Sequence, residues 1–134
     1  MPSEITIESV MTAYPYSIEL DAHVSSAKSM IAQYKIRHLP VKEGDVLVGV
    51  ITMGDITRAE QCGIDTSISS NVLVQKLCNK HVYVVAPKEL LVSVLKYMAE
   101  NYIDVVLVAK YGKLIGIFTF TDALKRYADL LSGK

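Results

Sequence analysis

The chain carries one pattern twice. Residues 10–59 laid over residues 77–126, at a constant offset of 67 and without a gap, share nine identities in 50 positions. Ordinary composition would give about three by chance. The matched pairs are Tyr16 and Tyr83, Ser26 and Ser93, Ala32 and Ala99, Ile36 and Ile103, Val41 and Val108, Leu47 and Leu114, Gly49 and Gly116, Thr52 and Thr119, and Asp55 and Asp122. A repeat of this length fixes architecture more firmly than any single residue, because each copy must be one supersecondary unit that completes its core against a neighbour.

Each copy reads strand, helix, strand, strand, helix. In the first, Tyr16 to Glu19 is a short strand and Asp21 is placed to cap a helix that runs to about Lys35. Val24, Ala27, Ile31 and Tyr34 recur at helical spacing and give that helix one apolar face. His38 to Val41 forms a second strand, and Pro40 suggests an edge or a strand start. Glu43-Gly44-Asp45 is a hairpin turn, Val46 to Thr52 a buried strand, and Gly54 to Cys62 a second helix. The second copy gives a strand at Tyr83 to Ala86 and a helix striped by Leu91, Val94, Leu95 and Met98. A hairpin of Asp104–Lys110 with Lys113–Phe120 follows, then a last helix from about Asp122 to Leu131.

The polar, small-residue segment from Gly63 to Asn71 reads as the connector. The segments that approach each copy also match: Ile5, Ile7 and Val10 fall on Val72, Val74 and Leu77. The expected organisation is repeat 1 over 1–62, connector over 63–71 and repeat 2 over 72–134. The expected fold is α/β (α+β), two tandem βαββα repeats packed as a pseudo-two-fold pair with a cleft on either side of the axis.

Composition narrows the function classes. Fourteen basic residues balance fourteen acidic ones, so the total gives no argument for nucleic acid. No apolar run approaches the ~20 residues of a membrane helix, and the N-terminal residues lack an apolar signal-peptide core. The two cysteines, Cys62 and Cys78, fit a reduced cytoplasmic chain, and with His81 they lack the spacing and the fourth ligand of a structural zinc site. No Ser-His-Asp grouping, Gly-rich phosphate loop or zinc-protease helix is present, which argues against an enzyme.

The chemistry sits in the repeated core, Gly49-Val-Ile-Thr52-Met-Gly-Asp55 and Gly116-Ile-Phe-Thr119-Phe-Thr121-Asp122. Both copies place Thr-x-x-Asp where a buried strand hands over to a helix. The pattern is close to a capping box, worth about 1 kcal/mol. The same geometry offers a helix N-terminus to an anion, a hydroxyl to a sugar or phosphate, and a carboxylate to vicinal hydroxyls.

The order Val10-Met11-Thr12, then Ile36-Arg37-His38-Leu39-Pro40-Val41, then Leu47-Val48-Gly49-Val50-Ile51-Thr52-x-x-Asp55, resembles a CBS domain, the cystathionine-β-synthase module. Leu114-Ile115-Gly116-Ile117-Phe118-Thr119-x-x-Asp122 resembles the same pattern, so nearly the whole chain looks like a stand-alone tandem pair, a Bateman module. The resemblance implies a regulatory fold whose clefts, each drawing on both repeats, bind AMP, ADP, ATP or S-adenosylmethionine as regulatory ligand, not cofactor. The Asp takes the ribose hydroxyls, and the preceding Thr meets sugar or phosphate.

Carried onto this sequence, the resemblance implies a first set of Thr12, Ser17, Arg37, His38, Thr119, Thr121 and Asp122. It implies a second, weaker set of Thr52, Asp55, Asn79, Val84 and Asp104. In the second, Gly54 stands in place of a hydroxyl and Asp104 in place of Arg37, so a phosphate is less welcome. The expected protein is a cytoplasmic adenosine-nucleotide sensor that forms a homodimer, a disc of four repeats, and acts on a protein target. The alternatives are a ligand-silent dimerisation scaffold and an S-adenosylmethionine binder.

Overall fold

The computed structural model describes residues 4–133. A 3-10 turn at Ile7–Ser9 leads into β1 (Thr12–Ala13), β2 (Ile18–Glu19), α1 (Val24–Tyr34), β3 (His38–Glu43), β4 (Val46–Thr52) and α2 (Met53–Gln61). The chain continues through α3 (Val74–Leu77), β5 (Tyr83–Val85), α4 (Leu91–Asn101), β6 (Val105–Lys110), β7 (Lys113–Thr119) and α5 (Phe120–Leu131). The mixed α+β class and the βαββα order in each copy are those expected.

Two compact units form. One is Tyr16–Val82; the other joins the N-terminal segment up to Pro15 with everything from Tyr83 onward. The units thus differ from the repeat boundaries read in the sequence, because each approach segment folds with the copy that it does not precede.

In the unit from Tyr16 to Val82, β3 lies parallel to β2 on one side and antiparallel to β4 on the other. The core gathers Ile18, Val24, Ala27, Ile31, Leu39, Val41, Ile51, Ile56 and Val74. Pro40 occupies mid-strand β3, not its start. It is tolerated because β2 pairs only with Val41 and Lys42, leaving the flank beside Pro40 free of a ladder partner. Asp21 does not cap α1. His23 holds the cap position without a side-chain bond, and the Val24 N–H donates instead to the Val72 carbonyl at 2.9 Å. The approach segment of the second copy closes the helix, a long-range bond that outranks the local signal.

The other unit repeats the arrangement. Here β6 lies parallel to β5 and antiparallel to β7, and β1 adds to the far side of β7 with Thr12 opposite Ile117. Its core gathers Ile7, Val85, Leu91, Val94, Met98, Val106, Val108 and Phe118. Ile7 and Val74, matched at the constant offset, are both fully buried, each in the core of its own unit. The two first helices end alike, with Lys35 and Tyr102 both at φ 54° in the left-handed region. Tyr111 and Gly112 both take positive φ, as a two-residue hairpin turn demands.

Candidate functional site

Each unit delivers its Thr-x-x-Asp at the end of its last long strand. Thr52 and Thr119 remain extended and occupy the helix cap positions, so their side chains meet the first free N–H groups of α2 and α5. The Asp55 N–H donates to Thr52 Oγ1 at 3.1 Å, and Asp55 Oδ2 accepts from the Thr52 N–H at 2.9 Å and its hydroxyl at 3.0 Å. The second copy is the same within tenths of an ångström: Asp122 N–H to Thr119 Oγ1 at 3.3 Å, and Asp122 Oδ2 accepting at 2.8 and 3.0 Å. Both motifs are therefore complete capping boxes.

The boxes differ in the second carboxylate oxygen. Asp55 Oδ1 accepts from Arg58 Nη2 at 2.5 Å, one helical turn on. A Cβ on Gly54 would stand 3.3 Å from Arg58 Nη1, so the missing side chain leaves room for the guanidinium beside the cap. Lys125 matches Arg58 and Thr121 matches Gly54. Among the described residues no hydrogen bond or ion pair reaches Asp122 Oδ1. Sequence reading missed Arg58; the signals were a basic residue three after Asp55 and a glycine before it.

Neighbouring groups are set by the ladders. Thr12 is exposed on β1 opposite Ile117, two positions before Thr119 on β7. The exposed Thr121 follows on the first turn of α5, and Asp122 is half-buried. Thr12, Thr119, Thr121 and Asp122 thus share the unit that contains β7. In the other unit His38 pairs with Thr52 across β3 and β4, and exposed Arg37 precedes it. Half-buried Ser17 leads into β2, and Tyr16 before it stacks on Tyr34 at 3.8 Å.

Asn79 is tied into the same unit. Its backbone exchanges two hydrogen bonds with Val50, at 3.0 and 2.8 Å, and its side-chain oxygen accepts from the His81 N–H at 2.9 Å. Val84 is exposed on β5. Asp104, also exposed, uses its carbonyl to accept from the Phe120 N–H at 2.8 Å, satisfying the first amide of α5. Two of the second set, Val84 and Asp104, therefore belong to the β7 unit, and three of the first, Ser17, Arg37 and His38, to the unit of Thr52.

The shared glycines are explained by close approach. A Cβ on Gly49 would stand 2.4 Å from the Asn79 carbonyl oxygen, and one on Gly116 would stand 2.0 Å from Met11 Sδ. Each approach segment crosses its sheet where only a glycine lets it sit.

The CBS-domain family model matches residues 7–61 and 74–129, two stretches that take in both capping boxes. The chain belongs to the CBS-domain family. Among solved structures, the paired CBS repeats resemble the AcuB protein of Vibrio cholerae with a TM-score of 0.83 at 25% identity, over 96% of this chain and 93% of that one. CBSX2, solved in complex with AMP, gives 0.80 at 23% over 94% and 98%. The CBS domain pair of protein MJ0100, in complex with 5-methylthioadenosine and S-adenosyl-L-methionine, gives 0.78 at 22% over 92% and 95%. In sequence, YlbB of Bacillus subtilis is 35% identical over 60 residues, which are 45% of this chain and 40% of that protein. The match thus spans well under half of that relative's length. No helix among the described residues is long and apolar enough to cross a membrane.

Proposed function

We propose that this CBS pair is a non-catalytic regulatory module that binds an adenosine nucleotide at the Asp122 capping box. One observation carries the reading: among the described residues Asp122 retains a carboxylate oxygen with no internal partner, whereas the equivalent oxygen of Asp55 is held by Arg58. A free carboxylate oxygen beside a helix N-terminus can accept from ribose hydroxyls while the Thr121 hydroxyl and the helix end meet phosphate. Thr12 and Thr119 complete that half of the set. Ser17, Arg37 and His38 enter it from the family resemblance, Arg37 as the charge for a phosphate.

The Asp55 box, with Thr52, Asn79, Val84 and Asp104, is the weaker candidate. Displacing Arg58 from Asp55 gives up an exposed ion pair worth at most about 1 kcal/mol, roughly a fivefold loss of affinity. That weakens this box without silencing it. AMP, ADP or ATP is the proposed ligand because of Arg37. S-adenosylmethionine is the second reading, favoured by the complex in which the MJ0100 pair was solved. The module is taken to act in the cytoplasm as a homodimer on a protein target.

The test is thermal unfolding with AMP, ADP, ATP, S-adenosylmethionine or GTP. At about 100 times its dissociation constant a ligand adds about 2.7 kcal/mol, a rise of about 10 °C for a chain of this size. One adenosine compound should give that rise, lost in Asp122→Asn and kept in Asp55→Asn. Asn retains an acceptor for the Thr119 N–H, so the cap survives while the charge is removed. No rise with any adenosine compound would leave the two boxes as helix caps alone and favour the ligand-silent scaffold.

A further inference from the structure

Two hairpin tips that match in sequence differ in what they carry. The β3–β4 turn holds Gly44 at φ 62°, and the β6–β7 turn holds Tyr111 at the matched place at φ 54°. That left-handed conformation suits glycine and strains a tyrosine. The strain wins little burial in return: Tyr111 is 91% exposed, and Lys110 Nζ stands 5.7 Å from its ring centroid. Tyr14 shows the same combination, with φ 48° and 79% exposure. The ladders bring the two tyrosines to one end of one sheet. β1 runs antiparallel to β7, and the Tyr14 N–H donates to the Ile115 carbonyl at 2.9 Å. Lys113 lies two residues further along β7, roughly 7 Å away, and Tyr111 is in the turn beyond it. Lys110 ends β6 on the other side of that turn, and both lysines are exposed. Among the described residues no ion pair joins Lys113 to a carboxylate, whereas Lys88, beyond the end of β5, is paired with Glu8.

The first copy has the opposite character at the same places. Glu43, Asp45 and Val46 match Lys110, Gly112 and Lys113, and His81 matches Tyr14. The Gly44 N–H donates to Glu19 Oε1 at 3.0 Å, which ties that turn to its own unit. Ala86 stands at the place of Glu19 and cannot make the bond. One tip is therefore acidic, built on glycine and tied down, and the other is basic, aromatic and without that tie.

We infer that the sheet end formed by Tyr14, Lys110, Tyr111 and Lys113 is the docking surface for an acidic segment of the protein target. Tyrosine is enriched at protein interfaces because it offers a large, rigid contact area at low cost in conformational entropy. The lysines beside the rings attract carboxylates and repel a basic segment. A nucleic-acid strand fits less well, because it needs a cationic groove that tracks several phosphates, and two lysines at a turn make none. The strain has the sign expected of a group kept for an outside contact: glycine is the more stable residue at this turn, as Gly44 shows, and the second copy has not kept it. The inference rests on the reading of a module that acts on a protein target, and it adds the place of contact and the charge of what binds there. It does not depend on nucleotide: loss of this contact would leave a nucleotide-induced thermal rise intact.

The experiment is fluorescence anisotropy of the full chain without nucleotide, at about 50 mM salt so that exposed charges are weakly screened. Three labelled probes are titrated: a short peptide of glutamate and leucine, the same peptide with lysine for glutamate, and a short thymidine strand. The glutamate peptide should bind with a Kd of about 100 µM, and the other two far more weakly. Lys113→Glu and Tyr111→Gly should each weaken that binding about tenfold. Tyr111→Gly should also raise the melting midpoint by roughly 4 °C, which separates lost binding from lost folding. Asp45→Asn, on the matched tip, should leave binding unchanged. Failure of the glutamate peptide to bind, equal binding of the lysine peptide, or tighter binding of the thymidine strand would each overturn the inference. So would Lys113→Glu and Tyr111→Gly variants that bind as well as the wild type.

Discussion

Replacing each repeated glycine by alanine should cost very different amounts, although the two are matched. In Gly49→Ala the new methyl would lie 2.4 Å from the Asn79 carbonyl oxygen and 3.2 Å from its carbon. Ordinary carbon–oxygen contact is about 3.3–3.6 Å, so the backbones must separate by roughly 1 Å. That separation strains both bonds between Asn79 and Val50, now at 3.0 and 2.8 Å. Two backbone bonds at about 1 kcal/mol each, with 1–3 kcal/mol for the overlap, give about 3–5 kcal/mol. In Gly116→Ala the closest atoms are Met11 Sδ, Cγ and Cε, at 2.0, 2.8 and 2.9 Å. These belong to a side chain with three rotatable bonds that can swing away, so about 1–2 kcal/mol is expected. The entropy gained by removing a glycine is common to both and cancels in the comparison. Urea unfolding of the two variants measures the difference directly. A Gly116→Ala loss equal to or larger than that of Gly49→Ala would refute the argument that backbone, not side chain, sets the cost. The double variant Met11→Ala/Gly116→Ala should recover about 1 kcal/mol relative to additivity.

Four further outcomes are expected. Tyr102→Gly should raise stability by about 1 kcal/mol, since Tyr102 is 96% exposed and held at φ 54°, and a thermal melt gaining about 4 °C would show it. The hydrogen bond from Thr66, and then Lys28, holds the Glu60 carboxyl below its ordinary value of 4.5. That contribution is complete above the unfolded value and is lost as pH falls through the lower folded one, so Thr66→Val should flatten the acid limb of stability below about pH 4.5, read by melts from pH 3 to 7. Burial raises the Cys78 thiol above its usual range while Cys62 is exposed, so at neutral pH a maleimide should modify Cys62 first, as peptide mass mapping would report. Thr119→Val should remove the acceptor for the Asp122 N–H and cost about 1 kcal/mol, with Thr52→Val costing a similar amount by the same melt.

The duplication made the βαββα order, both hairpins and both Thr-x-x-Asp boxes legible, because each rests on local periodicity or on a short spacing seen twice. Asp21 misled because a capping residue is a local signal, and the bond from Val24 to Val72 that displaced it joins residues 48 positions apart. Pro40 misled for a related reason: its tolerance depends on how far β2 reaches, which no property of β3 encodes. The exchange of approach segments between copies was hidden although Ile7 and Val74 were matched, since burial at a matched position does not say which core receives it. Arg58 escaped notice because an arginine at that spacing from an acid is ordinary on any helix, and only Gly54 beside it marks the space it fills.

The two copies have diverged in one direction at two separate places. In the first copy the free oxygen of the capping aspartate is met by Arg58, and the outer helix face is met by Lys28, Glu60 and Thr66. In the second copy, among the described residues, Asp122 Oδ1 has no internal partner and the stripe from Phe120 to Leu130 is exposed. Stability alone does not explain that pattern. An exposed ion pair contributes at most about 1 kcal/mol, while an uncovered apolar stripe invites association, so a repeat kept only as scaffold would gain by adopting the first copy's solution at both places. The second copy has not done so. Where duplicated units share a backbone, the groups that one satisfies internally and the other leaves open mark the places to probe first, and here they are Asp122 Oδ1 and the α5 stripe.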